Sequence, residues 1–593
     1  MVRRIFFLLL ISLILGSCSI TRVSYFGETP KKAGRFPEFT VKDSLRSKLD
    51  RYRACYDVIF YDLDLALEPD RQVIGGTVTM YFRALDTLKT IRFDLRKNLK
   101  ISKVTFGEAP VDFRRKDLAV YTTLPGAMVP GTIYSIKVKY EGSPARAVKP
   151  PWKGGFVWDK DKSGNPWIGV TCETEGSSIW FPCKDHLSDE PDSVRLHMSV
   201  PTGLTVVSNG LLEDRKIMNG RETFTWCTHY PVNIYNITFY AGNFVEIADT
   251  TLTNGDVLKL DYWVLPEDRN TAAEHFRQVK DVIKVYSNAF GSYPWIKECY
   301  KLVESPYEGM EHQTAIAYGN GFQDTQWIGA DYIIVHETAH EWWGNAVSVS
   351  DFSDIWLQEG FATYSEVIYN EVMKGYDASL DYVYYWLASG IRNKYPVVLP
   401  KDVGYWDYRD IDVYSKGALI LHTMRNIIND STVFFDILRT FYKEHAAGQH
   451  VTTQDFREVT ERITGRSWEK FFDCYLYSRK VPVLKWYFGT WNTEQKGGKG
   501  SSISFVAAKW TNVPEGFSMP VTLSCQQSGS SATVDVTTRT RIFYMNKFKS
   551  CDRLSCNARH SYFTGITGKD LLEDSDAEVI SIKSDEIAAS GLR

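Results

Sequence analysis

His336-Glu337-Thr338-Ala339-His340, followed after eighteen residues by Glu359, is the stretch on which the reading of this chain turns. Two histidines four apart on a helix share one face, about 40° off register. Both imidazoles can then bind one metal ion, and Glu337, beside the first of them, can reach a metal-bound water. A catalytic zinc needs three protein ligands and one open position. Glu359 supplies the third if the chain turns and returns as a second helix. Gly344 to Asp351 reads as that connection, and Trp356-Leu357-Gln358-Glu359-Gly360-Phe361-Ala362-Thr363-Tyr364 as the returning helix. The apolar run Tyr332-Ile333-Ile334-Val335 suits a helix entering a core. Of eleven histidines, only this pair combines helical ligand spacing with an adjacent glutamate. An amphipathic helix with two structural histidines is the plainer alternative, and it leaves Glu359 without a reason.

The string resembles the aminopeptidase N family of zinc exopeptidases, which includes the leukotriene hydrolase. That family's pattern is HExxH, eighteen residues, then the glutamate of W-L-x-E-G-F-A, which stands here as Trp356 to Ala362. Glu308-Gly309-Met310-Glu311-His312 is similar to the family's G-x-M-E-N, with Glu308 in place of the first glycine and His312 in place of the asparagine. The resemblance implies that Gly309 and Met310 contact substrate and that Glu311 grips its free α-amine. Thr171-Cys172-Glu173-Thr174-Glu175-Gly176 resembles the family's T-Q-x-E segment and offers Glu173 as a second amine-binding glutamate. Phe181-Pro182-Cys183-Lys184-Asp185 matches the F-P-C-x-D run that follows. Val413-Tyr414-Ser415-Lys416-Gly417-Ala418 resembles V-Y-x-K-G-A, whose tyrosine donates to the oxyanion. The likeness covers roughly residues 50–480.

What the resemblance implies is a zinc aminopeptidase with one Zn2+ per chain, acting on peptides with a free amino terminus. It would hydrolyse the first peptide bond with a zinc-bound water activated by Glu337. The metal's histidines need acceptors to orient them; Glu341, Asp354 and Glu366 are the candidates, each of which could equally be a solvated surface charge, and Tyr307 is a candidate wall of the pocket for the first side chain. Two other readings stay open: a thermolysin-like endopeptidase, which needs no amine clamp, and a non-catalytic, lipid-anchored binding protein on the same fold.

The amino terminus bears on location. Arg3 and Arg4 precede an apolar run, Ile5 to Leu15, too short to span a membrane and suited to a secretion signal. Leu15-Gly16-Ser17-Cys18 resembles a bacterial lipobox, so residues 1–17 are expected to be removed and Cys18 lipidated. That would make the chain an exported lipoprotein held to a membrane by its lipid, at the outer membrane facing the periplasm in a Gram-negative cell. Net charge is −3 with no basic run, which gives no footing for nucleic acid. There are ten cysteines, without a Cys-x-x-Cys. Cys551 and Cys556 are close enough to pair locally, and most of the others read as buried thiols.

With 593 residues, 44% of them apolar, several cores are expected. The fold class expected is multidomain α+β. Residues 18–48 read as a tether from the lipid. Over 49–248, period-two alternation at 62–67, 77–82 and 134–140 indicates an all-β domain. The resemblance implies a thermolysin-like catalytic domain over residues 249–480, and the pattern there is mainly helical, with helices at 272–290, 415–427, 431–445, 453–464 and 467–478. Residues 481–593 return to short strands and read as a small β-sandwich. Longer family members add a helical carboxyl-terminal domain, and without it a more open site is expected.

Overall fold

The computed structural model describes residues 23–26, 41–173, 175–402, 412–446, 448–493, 501–525, 530–544, 554–582 and 587–589. Cys18, the apolar leader before it and Cys551 lie outside the described residues.

Alternation at period two yields strands that bury alternate residues. Tyr61, Leu63, Leu65 and Leu67 are buried along Tyr56–Glu68, and Val78, Met80 and Phe82 along its partner Val73–Ala84. With Ile133–Gly142 these strands form the centre of an eight-stranded sheet. Its neighbours are antiparallel except Tyr56–Glu68 and Ser193–Pro201, which run parallel. A four-stranded sheet, which includes Pro166–Thr171 and Phe239–Gly242, shares the same core through an aromatic layer. The Trp180 ring lies 4.5 Å from Phe181 and 5.4 Å from Phe239, and Phe181 lies 5.7 Å from Tyr61.

The segment read as a tether is partly built into the fold. Val23–Phe26 adds as a parallel strand to Leu554–Tyr562, pairing Val23 with Cys556 and Phe26 with Tyr562. Val41–Ser47 is a helix whose end is held by buried guanidinium groups. Arg53 donates to the carbonyls of Arg46 and Lys48, and Arg92 to that of Leu45. Both arginines close on Asp94, at 3.2 Å and 2.7 Å, and no side chain of the three is more than 1% exposed. Polar composition concealed this docking because the groups that accept the helix lie outside it. Removing one partner of a buried ionic cluster strands the others, at about 3–5 kcal/mol. Asp94→Asn is therefore expected to lower the first thermal transition by several degrees in calorimetry; an unmoved transition would refute a structural role for the cluster.

The next unit carries the helices. Strands β1 (Val245–Thr253), β2 (Asp256–Val264), β3 (Tyr300–Glu304), β4 (Gly309–Met310) and β5 (Ile316–Tyr318) form one sheet in the order β1-β2-β3-β5-β4. The expected division at 248/249 falls inside β1. Strand β4 is an edge, paired antiparallel to β5 on one side only. The single helix expected over 272–290 is two, Arg269–His275 and α1 (Gln278–Phe290), with the buried Phe276 at the break.

Helix α2 (Tyr332–Ala339) starts at Asp331, whose carboxylate accepts from the Ile333 amide at 3.0 Å. Helix α3 (Trp356–Lys374) returns beside it, and α4 (Ser415–Ile428) crosses α3 at two glycines. A Cβ on Gly360 would lie 3.0 Å from Gly417 Cα and 2.9 Å from the Val413 carbonyl, so only glycine permits this approach. The glycines of W-L-x-E-G-F-A and V-Y-x-K-G-A thus meet, and they bring Tyr414 to the helix pair that carries His336, His340 and Glu359. No helix among the described residues is long and apolar enough to cross a membrane.

The carboxyl-terminal unit has two five-stranded sheets, one built around Val483–Thr493 and Ser501–Thr511, the other around Ser518–Cys525 and Ser530–Thr537 with Val23–Phe26 as one of its strands. Cys525 is disulfide-bonded, which the sequence did not suggest. Cys55, Cys172, Cys183, Cys227, Cys299 and Cys474 are buried free thiols.

Candidate metal centre and substrate cleft

His336 and His340 present their Nε2 atoms 3.2 Å apart. Their other ring nitrogens are committed. His336 Nδ1 lies 2.6 Å from Glu366 Oε1, and His340 Nδ1 lies 2.8 Å from the Trp343 carbonyl. An acceptor at Nδ1 fixes the proton there and leaves a lone pair on each Nε2, facing the shared space. Glu359 Oε2, from α3, stands 3.5 Å from His336 Nε2 and 3.4 Å from His340 Nε2. That oxygen is buried and makes no hydrogen bond. A tetrahedral ion with bonds of about 2.0–2.1 Å keeps its ligand atoms about 3.3–3.4 Å apart. The three atoms fit that spacing, and two imidazoles with one carboxylate suit zinc.

Of the three carboxylates that could have oriented the histidines, Glu366 does so. Tyr382 donates to its second oxygen. Asp354 instead accepts from the Thr453 amide and hydroxyl, at 2.9 Å and 2.6 Å. Glu341 accepts from the Thr314 amide at 3.0 Å and from the Trp295 indole. Glu366→Gln is expected to weaken zinc affinity by about 10–100-fold, measured by competition with a chromophoric chelator. Unchanged affinity would mean that the helices alone orient the ligand.

Glu337 faces β4. A Cβ at Gly309 would lie 2.7 Å from Glu337 Oε1 and 2.9 Å from Ile333 Cδ1, so a side chain at 309 would displace the Glu337 carboxylate. Burial pushes the Glu337 carboxyl up, to about 8, and the nearby Glu311 and Glu359 add to this against the pull of the histidines.

Glu311 follows β4 directly. Its Oε1 accepts from the Tyr235 hydroxyl at 3.0 Å, and its carbonyl accepts from Asn345 Nδ2 at 2.9 Å. Neither Tyr235 nor Asn345 stood out in the sequence. The one signal was the polar cluster Asn233-Ile234-Tyr235-Asn236 between apolar neighbours. Glu173 enters just past strand Pro166–Thr171, and its buried Oε1 has no hydrogen-bond partner among the described residues. Oxygens of Glu173, Glu311 and Glu359 lie within 4.8 Å of one another. Burial, then the charge of Glu311, raises the Glu173 carboxyl well above the usual range. Glu359 is held low, to about 2, because the two imidazoles outweigh its burial. Such a trio calls for positive charge on both sides: a metal at Glu359 and another cation at Glu173 and Glu311.

The remaining expected residues divide. Met310 and Tyr414 line the cleft with the glutamates, around a cavity of about 410 Å3. The Tyr414 ring lies 6.2 Å from that of His336, tilted by 29°. Tyr307 does not line this cavity; it packs against Gly169, with its hydroxyl 3.4 Å from the Val170 carbonyl. His312 is likewise set back in the core. The Tyr240 hydroxyl donates to the Ala315 carbonyl at 2.8 Å and so accepts from His312 Nδ1 at 2.8 Å. Burial lowers the His312 pKa to about 3, so the ring is neutral. Missed altogether was the π-helix Tyr382–Leu387, which brings Trp386 to the cavity that Trp152 also lines.

Residues 275–475 match the Peptidase family M1 domain. The chain is 25% identical over 323 residues to leucine aminopeptidase 2 of Vanderwaltozyma polyspora, covering 51% of this chain and 46% of that protein. It is 22% identical over 377 residues to aminopeptidase M1 of Arabidopsis thaliana, covering 60% and 42%. The chain thus spans less than half the length of these curated relatives. Among solved structures it is similar to the M1 zinc metallopeptidase of Deinococcus radiodurans, at a TM-score of 0.60 and 23% identity, over 72% of this chain and 94% of that one. A mutant of that protein bound to a Tyr-Ser-Ala substrate superposes equally well, at 0.60 and 22% identity. At that identity the likeness establishes the fold.

Proposed function

Because the chain carries a peptidase family M1 domain, of the aminopeptidase N family, we propose that it is a zinc aminopeptidase removing the first residue from peptides with a free amino terminus. The observation that carries this reading is the buried carboxylate pair Glu173 and Glu311 beside the metal triad, with a Glu173 oxygen that has no hydrogen-bond partner among the described residues. An ammonium is the substrate group that completes such a site, and it blocks any longer extension of the peptide.

His336, His340 and Glu359 would hold one zinc, which when bound polarises the scissile carbonyl and acidifies water. Glu337 takes the proton from the attacking water and delivers it to the leaving amine. Gly309 leaves room for that carboxylate against the edge of β4. Tyr414 donates a hydrogen bond to the developing oxyanion, a contact of a kind worth about 3–4 kcal/mol in the transition state. Glu311, held by Tyr235 and Asn345, and Glu173 bind the substrate ammonium and set where the chain is cut.

The test uses a panel of aminoacyl chromogenic amides, an N-acetylated control and a chelator. Cleavage that needs the free amine and stops with chelator is the result expected. Equal cleavage of the acetylated substrate would move the assignment to an endopeptidase. Bound zinc without any cleavage would leave a binding protein on this fold. The reading includes export and lipid attachment at Cys18, checked by fatty-acid labelling in cells; a Cys18→Ala chain that is still labelled would refute it.

A further inference from the structure

The metal, the base and the amine clamp account for five of the six glutamates lining the cleft: Glu359, Glu366, Glu337, Glu311 and Glu173. Glu308 is the sixth, and none of those tasks uses it. It stands where the related motif has glycine. Its side chain is half-buried in the cleft, where its one described partner is the Tyr332 hydroxyl, which donates to Oε1. No ion pair reaches it among the described residues, and no Lys or Arg lines the cleft there.

Its place along the substrate follows from the strand. β4 is an open edge, and an extended peptide adds to such an edge by main-chain pairing. A peptide whose amine rests at Glu311 must run away from Glu311, antiparallel to β4, advancing about 3.3 Å per residue. Gly309 lies against Glu337 and therefore at the level of the bond being cut. Glu308 comes next, on the leaving-group side.

Resting on the aminopeptidase reading, we propose that Glu308 is a specificity determinant that selects peptides with Lys or Arg just after the scissile bond. A cationic side chain there meets a partly desolvated carboxylate, whereas an acidic one meets like charge in an already acidic cleft.

The test compares kcat/KM for free-amine tripeptides that share first and third residues and carry Lys, Ala or Glu second. For the wild-type chain the expected order is Lys, Ala, Glu, with at least roughly a tenfold span from first to last. The ratio is the readout, so a general loss of rate in a variant does not obscure it. Glu308→Gln should collapse the Lys/Glu ratio toward unity, and Glu308→Lys should invert it. A flat wild-type profile, or a Lys preference that survives both substitutions, overturns the proposal while leaving the aminopeptidase intact. Failure to cut any of the three peptides, in a preparation that holds zinc, overturns the aminopeptidase reading and this proposal with it.

Discussion

Glu337→Gln is expected to keep zinc bound and to lose the proposed peptidase activity. The expected fall in kcat/KM for an aminoacyl amide is on the order of 10²–10⁴-fold, the usual contribution of a positioned general acid–base group. The substitution is nearly isosteric and leaves the space opposite Gly309 filled. It removes only the proton acceptor, because His336, His340 and Glu359 converge without help from residue 337. Metal content by atomic emission should match that of the wild type. Thermal stability should hold or rise, since the variant has one carboxyl fewer in a buried acidic cluster. Retention of more than a tenth of the activity with full zinc would show that another group carries the proton.

The second large effect is expected at the amine clamp. Glu311→Gln should lower kcat/KM for free-amine substrates by a factor corresponding to about 2–5 kcal/mol, the cost of truncating one side of a buried charge pair. Its signature differs from that of Glu337→Gln. The N-acetylated control gains relative to the free amine, because the variant no longer rewards the ammonium. Burial raises the Glu311 carboxyl, with the charge of Glu359 adding to this, so neutralising it should raise the melting temperature of the substrate-free protein. Intact discrimination against the acetylated substrate would mean that Glu173 suffices or that the amine binds elsewhere.

How far the sequence reached depends on the range of each interaction. His336, His340 and Glu359 were legible because helix geometry converts a spacing of four into a shared face, and a fixed gap into a returning helix. Glu366 was visible only as one of three candidates, because which acid meets His336 Nδ1 depends on how α3 rotates against α2. Tyr235 and Asn345 come from distant parts of the chain and converge on Glu311 only in three dimensions. Tyr307 was misplaced because its neighbourhood in sequence is the cleft, whereas its ring turns back over Gly169. The alternating strands of the first sheet were read correctly from period two. The break at Phe276 had no comparable mark, since Phe276 continues the apolar periodicity of the helix expected there.

The amino-terminal segment has a mechanical meaning. Val23–Phe26 is a strand of the last sheet in the chain, while Val41–Ser47 is fastened by Arg53 and Arg92 to the unit that opens it. Two short elements thus reach different units of the molecule, the strand joining the carboxyl-terminal sheet and the helix docking on the first unit. A load applied at Val23–Phe26 acts on the carboxyl-terminal sheet along a parallel strand, in shear. Trimming the chain to residue 49 would remove a strand from one unit and a docked helix from another, and not merely shorten the chain.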